Sequence, residues 1–375
     1  MSINDVTTLE MDGEVAVVTV DYPPVNVLSA AVRQGVAAAL DQAGQDDAVK
    51  AVVLICAGKT FFAGADITEF GKPLAEPTIR QLEEIVEDTP KPVIAAMHGT
   101  ALGGGFELAL SAHYRVASAP AKMGLPEVKL GLLPGAGGTQ RLPRVVGVAK
   151  ALDLMTIGNP VTADEAATMG LIDAVVDGDL RAAAVAFAKT KIGAPLERIR
   201  DRPVTVDPGQ IAAFRTANAD RFRNLDAPEA IIKTVEASAL PFAEGMDRER
   251  DLFRELMAGP QSAALRYVFF GERQAAKADP LPVSAVDRLT AAKESELALI
   301  NEGAKLLDEG IAPRALEIDA LAVKALGWPS YLGGPLYSAD KQGLPTIIKR
   351  MRADGIEPSP LIERLAAEGK GFTQA

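Results

Sequence analysis

Two glutamates, Glu107 and Glu127, stand in apolar stretches of this 375-residue chain. Glu107 follows three adjacent glycines in ALGGGFELAL, and Glu127 lies between a proline and a valine in GLPEVKLG. Each glutamate alone is consistent with a charge at a helix N-terminus or in an exposed loop. Together, two carboxyl groups can hold one water, deliver its oxygen to one carbon and place a proton on the next. That chemistry needs one ionised and one protonated carboxyl, which burial and mutual repulsion can provide.

Two glycine-containing loops could supply backbone N–H groups beside these carboxyls. In IAAMHGTALGGG the glycines open a helix, whose first N–H groups have no partner within the helix. The N–H of Gly104 could therefore receive an oxyanion. The loop GKTFFAGADI follows an apolar run and is also rich in small residues. Two such loops converging on one carbonyl oxygen would form an oxyanion hole, although each alone is also consistent with helix packing or a tight turn around Asp66.

The elements that must position these groups alternate between strand and helix over the first 190 residues, which predicts an α/β layer. The predicted strands are Glu14–Tyr22, Ala51–Gly58, Lys91–Gly99 and His113–Ser118, and the predicted helices are Ser29–Gln45 with Ser29 as N-cap, 76–87, 104–112 and 138–146. Beyond about residue 191 the pattern predicts almost only helices: 210–224, 227–240, 247–257, 261–276, 284–310, 313–326, 341–352 and 359–368. Proline-rich stretches at about 191 and 280 predict divisions of 1–190, 191–283 and 284–375.

Composition argues against several classes of function. A net charge of −11 disfavours a nucleic-acid partner. No N-terminal signal pattern and no apolar run of about 18 residues are visible, so we expect a cytoplasmic location and no membrane partner. The single cysteine, Cys56, is predicted to be a buried strand thiol. One cysteine and two histidines argue against a zinc site, and we expect no metal.

Three segments resemble signatures of the enoyl-CoA hydratase/isomerase (crotonase) superfamily. They are IAAMHGTALGGG, FFAGADI and GLPEVKLGLLPGAGGTQRLPRVVG, within a resemblance that runs nearly unbroken from about Gly13 to Asp177. The resemblance implies a crotonase-like spiral of ββα units. It also implies a substrate bound as a coenzyme A thioester, so that coenzyme A belongs to the substrate and no separate cofactor is expected.

The resemblance further implies roles for individual residues. It assigns the oxyanion-binding N–H groups to Ala65 and Gly104, and assigns to the N–H of Gly135 a part in holding the catalytic water. We expect Glu107 to activate the water and Glu127 to exchange the proton at the α carbon. The implied coenzyme A groove comprises Val25, Ala63, Asp66 and Ile67, with Lys59 as a candidate phosphate partner. Lys59 is also consistent with an ordinary solvated lysine.

Both glutamates are present, whereas many relatives with other activities lack one. We therefore predict hydration of 2-trans-enoyl-CoA to 3-hydroxyacyl-CoA, with Δ3–Δ2 enoyl-CoA isomerisation as a side activity. Two alternatives remain open: a dedicated enoyl-CoA isomerase, and a non-catalytic acyl-CoA-binding or assembly subunit. The intact glutamate pair disfavours the second, because a protein that only binds has no need of it.

Further segments resemble the multifunctional β-oxidation enzymes, namely the peroxisomal type 1 enzyme and the bacterial α-subunit. ALRYVFFGERQAAK (264–277) resembles the helix that leads into their dehydrogenase, and 300–344 resembles the last helical domain of 3-hydroxyacyl-CoA dehydrogenase. No GxGxxG motif lies anywhere in the chain, and no histidine follows His113. We therefore predict that the NAD-binding domain is missing and that the chain neither binds NAD nor oxidises its product. A separate 3-hydroxyacyl-CoA dehydrogenase is a candidate partner.

Overall fold

The computed structural model describes residues 1–69, 72–73 and 75–374, which form two compact units. The first unit comprises 1–128 and 132–255, and the second comprises 129–131 and the chain from Leu256 onward. These divisions differ from those predicted at 190 and 283. The predicted α/β class followed by a helical C-terminal region is confirmed.

Strands occur in the first half of the described chain, whereas helices occur throughout it. The strands are β1 (Ser2–Asn4), β2 (Thr7–Asp12), β3 (Val15–Val20), β4 (Ala51–Cys56), β5 (Val93–Met97), β6 (Thr100–Leu102), β7 (Tyr114–Ser118), β8 (Lys122–Gly124), β9 (Val161–Thr162) and β10 (Ala174–Val176). The helices of the first part of the chain are α1 (Ala30–Gln45), α2 (Ile79–Asp88), α3 (Gly104–Ser111), α4 (Gly138–Val146), α5 (Val148–Ile157), α6 (Ala163–Thr168), α7 (Leu180–Thr190), α8 (Pro208–Ala217), α9 (Ala219–Phe222), α10 (Asp226–Glu236) and α11 (Phe242–Ala258). They are followed by α12 (Pro260–Ala275), α13 (Val283–Ala292), α14 (Glu296–Asp308), α15 (Ala315–Ala325), α16 (Pro335–Gln342), α17 (Leu344–Ala353) and α18 (Pro360–Glu368).

The main sheet has seven strands in the order β1, β2, β3, β4, β5, β7, β10, and a smaller sheet joins β6, β8 and β9. From β3 to β10 all neighbours in the main sheet are parallel. Strands β4 and β5 are buried at every residue, as expected when both faces of a parallel sheet are covered. The carboxyl ends of parallel neighbours lie at one edge, so the loops that follow β4 and β5 are neighbours there.

Local signals explain several element boundaries. The Ser29 side chain accepts a hydrogen bond from the Val32 N–H at the start of α1, which confirms the predicted N-cap. Cys56 is buried at the end of β4, as predicted. The first helical residues of α3 are glycines, and this helix begins shortly after the short strand β6.

Residues 191–255 group with the α/β part because their helices bury apolar side chains against it. Helix α10 packs against α4 and α5 and buries Ile231, Ile232 and Val235 completely. Because of this burial, residues 191–255 belong to the first unit. The proline-rich stretch at the start of the segment does not predict this assignment.

The second unit is helical and has its own apolar core. The predicted single helix 284–310 is wrong, because α13 ends at Ala292 and α14 begins at Glu296. Ser295 caps the new helix by accepting a hydrogen bond from the Ala298 N–H. Helix α16 was not predicted. No helix among the described residues is long and apolar enough to cross a membrane.

Candidate active site

The glycine run before Glu107 allows two close approaches, one to a side chain and one to the backbone. Gly103 has φ of +54°, and a Cβ there would lie 2.8 Å from Oε1 of Glu127. A Cβ at Gly105 would lie 2.0 Å from the carbonyl oxygen of Phe62, a distance that no side chain tolerates. Gly104 between them opens α3. The run therefore brings the start of α3 against both the loop after β4 and the second glutamate.

The N–H groups of Ala65 and Gly104 belong to neighbouring backbone segments. A Cβ at Gly104 would lie 3.6 Å from the Ala65 nitrogen. Within the described part of the chain neither N–H group donates a hydrogen bond. The Asn26 side chain holds the start of the Ala65 loop by donating to the carbonyl oxygens of Ala57 (2.9 Å) and Thr60 (2.8 Å). Two N–H groups without a partner among the described residues therefore lie on neighbouring segments, and their role as an oxyanion hole stays a prediction.

Glu107 lies in the first turn of α3 and is 2% exposed. Its Oε1 accepts hydrogen bonds from the N–H groups of Ala136 (2.9 Å) and Gly138 (2.7 Å), and its Oε2 has no partner among the described residues. Burial raises the pKa of this carboxyl, while the two N–H donors and the charge of Arg141 lower it. Glu107 is therefore a buried carboxyl with donors that favour its ionised form.

Glu127 starts the short 3-10 helix Glu127–Leu130, and its environment differs from that of Glu107. Its Oε2 is buried and has no hydrogen-bond partner. Burial, followed by the negative charge of Glu107, raises its pKa well above the usual value. The pKa of both carboxyls is raised, but the two N–H donors and Arg141 oppose this rise at Glu107, so Glu107 ionises more readily than Glu127.

Arg141 fixes the segment that contacts Glu107. Its guanidinium pairs with both oxygens of Glu87 (3.0 and 2.9 Å) and with Oε2 of Glu83 (2.5 Å). It also donates to the carbonyl oxygen of Ala136 (3.0 Å). All three charged side chains are at most 1% exposed. A salt-bridged network under the loop therefore holds Ala136, one of the two donors to Glu107.

A third buried carboxyl, Glu249 on α11, was missed by the sequence analysis. Its Oε1 accepts from the Gly137 N–H (2.7 Å), and its Oε2 accepts from the N–H (3.1 Å) and the hydroxyl (2.5 Å) of Thr139. Glu249 is fully buried. It lies in GMDRERDLF, a charged run typical of a solvent-exposed helix, so no signal in the sequence distinguishes it.

Gly135 lies in the same loop, one residue before the first donor to Glu107. Its N–H donates no hydrogen bond to a described residue. The donors to Glu107 are Ala136 and Gly138, and the ring of Phe253 lies against Gly135, where a Cβ would be 2.4 Å from a ring carbon. The predicted role of Gly135 in holding water stays a prediction.

The residues predicted for coenzyme A lie in and beside the loop after β4. The carbonyl oxygen of Val25, a 40% exposed residue, accepts from the Ala63 N–H at 3.3 Å. Asp66 is half-buried and caps the following turn (2.9 Å), and Ile67 is 41% exposed. Lys59 is exposed in the turn directly after β4. The structure thus brings Val25 to Ala63, while the part of each residue in binding stays a prediction.

Comparisons with known proteins agree with this geometry. Residues 10–197 match the family described as enoyl-CoA hydratase/isomerase. The peroxisomal bifunctional enzyme of Danio rerio is 44% identical over 268 residues, which cover 70% of this chain and 37% of that protein. The "Probable enoyl-CoA hydratase" of Bacillus subtilis (strain 168) is 39% identical over 240 residues, which cover 60% of this chain and 93% of that protein.

A solved structure is also similar. EchA1_1 from Mycobacterium paratuberculosis is 34% identical, with a TM-score of 0.52, and the match covers 68% of this chain and 91% of that one. The chain spans less than two fifths of the length of the peroxisomal relative. The predicted resemblance to the hydratase part of multifunctional enzymes is confirmed over the matched part.

Proposed function

The chain belongs to the enoyl-CoA hydratase/isomerase family, and we propose that it adds water across the double bond of a 2-trans-enoyl-CoA to give a 3-hydroxyacyl-CoA. The observation that carries this proposal is the contrast between the two glutamates. Glu107 receives two backbone N–H groups, whereas Oε2 of Glu127 is buried without a donor. A base and an acid are therefore provided by two residues of the same type.

In the proposed reaction the thioester oxygen accepts hydrogen bonds from the N–H groups of Ala65 and Gly104. Negative charge that develops on this oxygen is stabilised there, which makes the β carbon electrophilic. Glu107 takes a proton from water as the water oxygen bonds to the β carbon. The electron pair of the double bond moves toward the thioester, and Glu127 delivers its proton to the α carbon. A proton passed from Glu107 back to Glu127 then restores the starting state.

The reaction neither oxidises nor reduces the substrate, so no nicotinamide takes part in it, and the proposed steps use no metal. Coenzyme A enters as part of the substrate, for which Val25, Ala63, Asp66 and Ile67 are the proposed contacts, with Lys59 near the phosphates. A cytoplasmic location and a separate 3-hydroxyacyl-CoA dehydrogenase that consumes the product belong to the same proposal.

Isomerisation of a 3-enoyl-CoA is the second activity that we propose for this site. The observation that favours it is the raised pKa of the buried Glu127 carboxyl. In its ionised form such a group is a strong base, and it can take a proton from one carbon and return it to another while the oxyanion hole holds the dienolate. This reaction needs no water and does not depend on Glu107 as the base.

Glu127→Gln and Glu107→Gln variants test the proposal with crotonyl-CoA and a 3-enoyl-CoA. Hydration lowers the absorbance of the conjugated thioester, and isomerisation creates it. We expect Glu127→Gln to lower kcat by about 10²- to 10⁴-fold in both assays, with nearly unchanged affinity for the thioester. Glu107→Gln should lose hydration and retain more of the isomerisation. Glu255→Gln, an exposed position on α11, is the matched control.

Each alternative has its own outcome in these assays. A dedicated isomerase would shift the 3-enoyl thioester rapidly and hydrate crotonyl-CoA slowly. A non-catalytic binder would bind the thioester tightly and show no turnover with either substrate. Turnover that is unchanged in Glu127→Gln would refute the assigned role of that carboxyl.

A further inference from the structure

Four consecutive N–H groups, from Ala136 to Thr139, alternate between two buried carboxyl groups. Those of Ala136 and Gly138 donate to Glu107. Those of Gly137 and Thr139 donate to Glu249. The segment is therefore held from both sides, and the hydration proposed above uses only one of the two carboxyls.

Glu249 is itself fixed by a chain of hydrogen bonds. The Thr139 hydroxyl donates to Oε2 of Glu249, and the Gln140 amide donates to that hydroxyl (3.0 Å) and to the carbonyl oxygen of Thr234 (2.9 Å). One turn before Glu249, a Cβ at Gly245 would lie 2.1 Å from Oε1 of Gln140. Helix α11 thus approaches the Gln140 side chain closely, and the Glu249 carboxyl has little freedom to move.

We propose that Glu249 is a positioning residue for the hydration: it fixes Gly137 and Thr139 so that the intervening N–H groups hold Glu107 in its productive orientation. The inference rests on the proposed function. Without an acceptor at Glu249, two buried N–H groups would lack partners, which is costly enough to rearrange the segment. Because the donors to Glu107 belong to the same few peptide units, any rearrangement also moves the carboxylate that activates water.

Glu249 also contributes charge to the site. The charged groups that interact with it from the surrounding elements are Glu83 on α2, Glu107 on α3, Glu127, and Arg141 on α4. Burial, followed by the charge of Glu107, raises the pKa of Glu249 to about 8. Its negative charge in turn raises the pKa of Glu127. Ionisation of Glu249 above neutral pH therefore helps Glu127 to keep its proton.

The test compares Glu249→Gln with Glu255→Gln in the full chain, by the pH dependence of kcat and KM for crotonyl-CoA hydration. The amide keeps the shape of the side chain but places an NH₂ group where an acceptor is needed. We expect kcat to fall by about 10- to 100-fold with a nearly unchanged KM. The alkaline limb should move to lower pH, because removal of the Glu249 charge lowers the pKa of Glu127. Glu255→Gln should match the wild type.

Thr139→Val and Thr139→Ser keep the inference testable if Glu249→Gln does not fold. Valine removes the hydroxyl donor to Glu249 and should lower kcat several-fold, and serine should restore it. Wild-type kcat with an unmoved alkaline limb in Glu249→Gln overturns the inference. A fall in kcat that is fully explained by a smaller fraction of folded Glu249→Gln protein also overturns it. If Glu249→Gln does not fold, a wild-type kcat in Thr139→Val overturns it. A wild-type chain that does not hydrate the thioester overturns the proposed function instead.

Discussion

Substitution of two adjacent glycines by alanine should separate catalysis from folding. At Gly104 a new methyl group would meet Ile79 at 3.4 Å, the Ala65 nitrogen at 3.6 Å and Leu28 at 3.7 Å, all ordinary contact distances. At Gly105 the same group would lie 2.0 Å from the Phe62 carbonyl oxygen. The two positions belong to one helical turn, yet only the second is sterically forbidden.

The expected magnitudes follow from these distances. A carbonyl oxygen bound by both N–H groups lies about 2.9 Å from each nitrogen. It therefore competes for space with the methyl group of Gly104→Ala, and we expect kcat/KM to fall by about 10²- to 10³-fold, as for the loss of one oxyanion donor. The stability should change by less than about 1 kcal/mol, because alanine is favoured over glycine in a helix.

Gly105→Ala should show the opposite behaviour. Cβ atoms do not approach an oxygen closer than 3.0 Å, so α3 or the Phe62 backbone must move by about 1 Å. Overpacking of this kind costs about 1–3 kcal/mol or more. We expect a lower midpoint of urea unfolding, together with a loss of activity that follows from the displaced helix.

Crotonyl-CoA hydration and urea unfolding of both variants provide the measurement. Gly44→Ala, on helix α1 with its nearest contact at 3.6 Å, is the control for a tolerated helical glycine. A wild-type kcat/KM in Gly104→Ala would mean that the space beside Ala65 does not hold the reacting carbonyl. An unfolding midpoint of wild-type value in Gly105→Ala would contradict the close approach to Phe62.

Three further predictions concern stability. Arg141→Met removes the cation that pairs with Glu83 and Glu87 and should lower the free energy of unfolding by about 3–5 kcal/mol, because buried carboxylates lose their partner; an unchanged urea midpoint would contradict the network. In the helical unit, burial raises the pKa of Asp319 from 3.8 to about 7. Its contribution to the free energy of unfolding is therefore fully present below about pH 4, and up to about 4 kcal/mol of it is lost as the pH rises from 4 through 7. Asp319→Asn should flatten this pH dependence in unfolding experiments at pH 4 to 8. Tyr267→Phe removes a 2.9 Å hydrogen bond to Asp319 and should cost about 1–3 kcal/mol in calorimetry, whereas Tyr22→Phe, whose hydroxyl bonds no described residue, should not.

Short-range patterns in the sequence predicted the parts of the site that depend on local backbone geometry. The glycine run, Glu107 and the cap at Ser29 are local features, and the structure places them in the predicted elements. Glu249 contacts a residue 112 positions away, so its role depends on where α11 packs, and nothing in its charged neighbourhood reports that packing. The end of α13 and the start of α14 were not predicted for a different reason. The sequence has a continuous helical pattern there, but Ser295 caps a new helix with one hydrogen bond.

The charge balance of the site explains why one carboxyl must carry a proton. Buried carboxyl oxygens come from Glu83, Glu87, Glu107, Glu127 and Glu249, and the fully buried cation that pairs with this group in the described structure is Arg141. A buried cluster with this excess of acids cannot be fully ionised at neutral pH. Oε1 of Glu83 and Oε2 of Glu127 are buried without a hydrogen-bond partner, and burial raises the pKa of both carboxyls well above the usual value. The acid form of Glu127 is therefore a property of the whole cluster, and substitutions at Glu249 or Arg141 should change the chemistry of Glu127 without touching it.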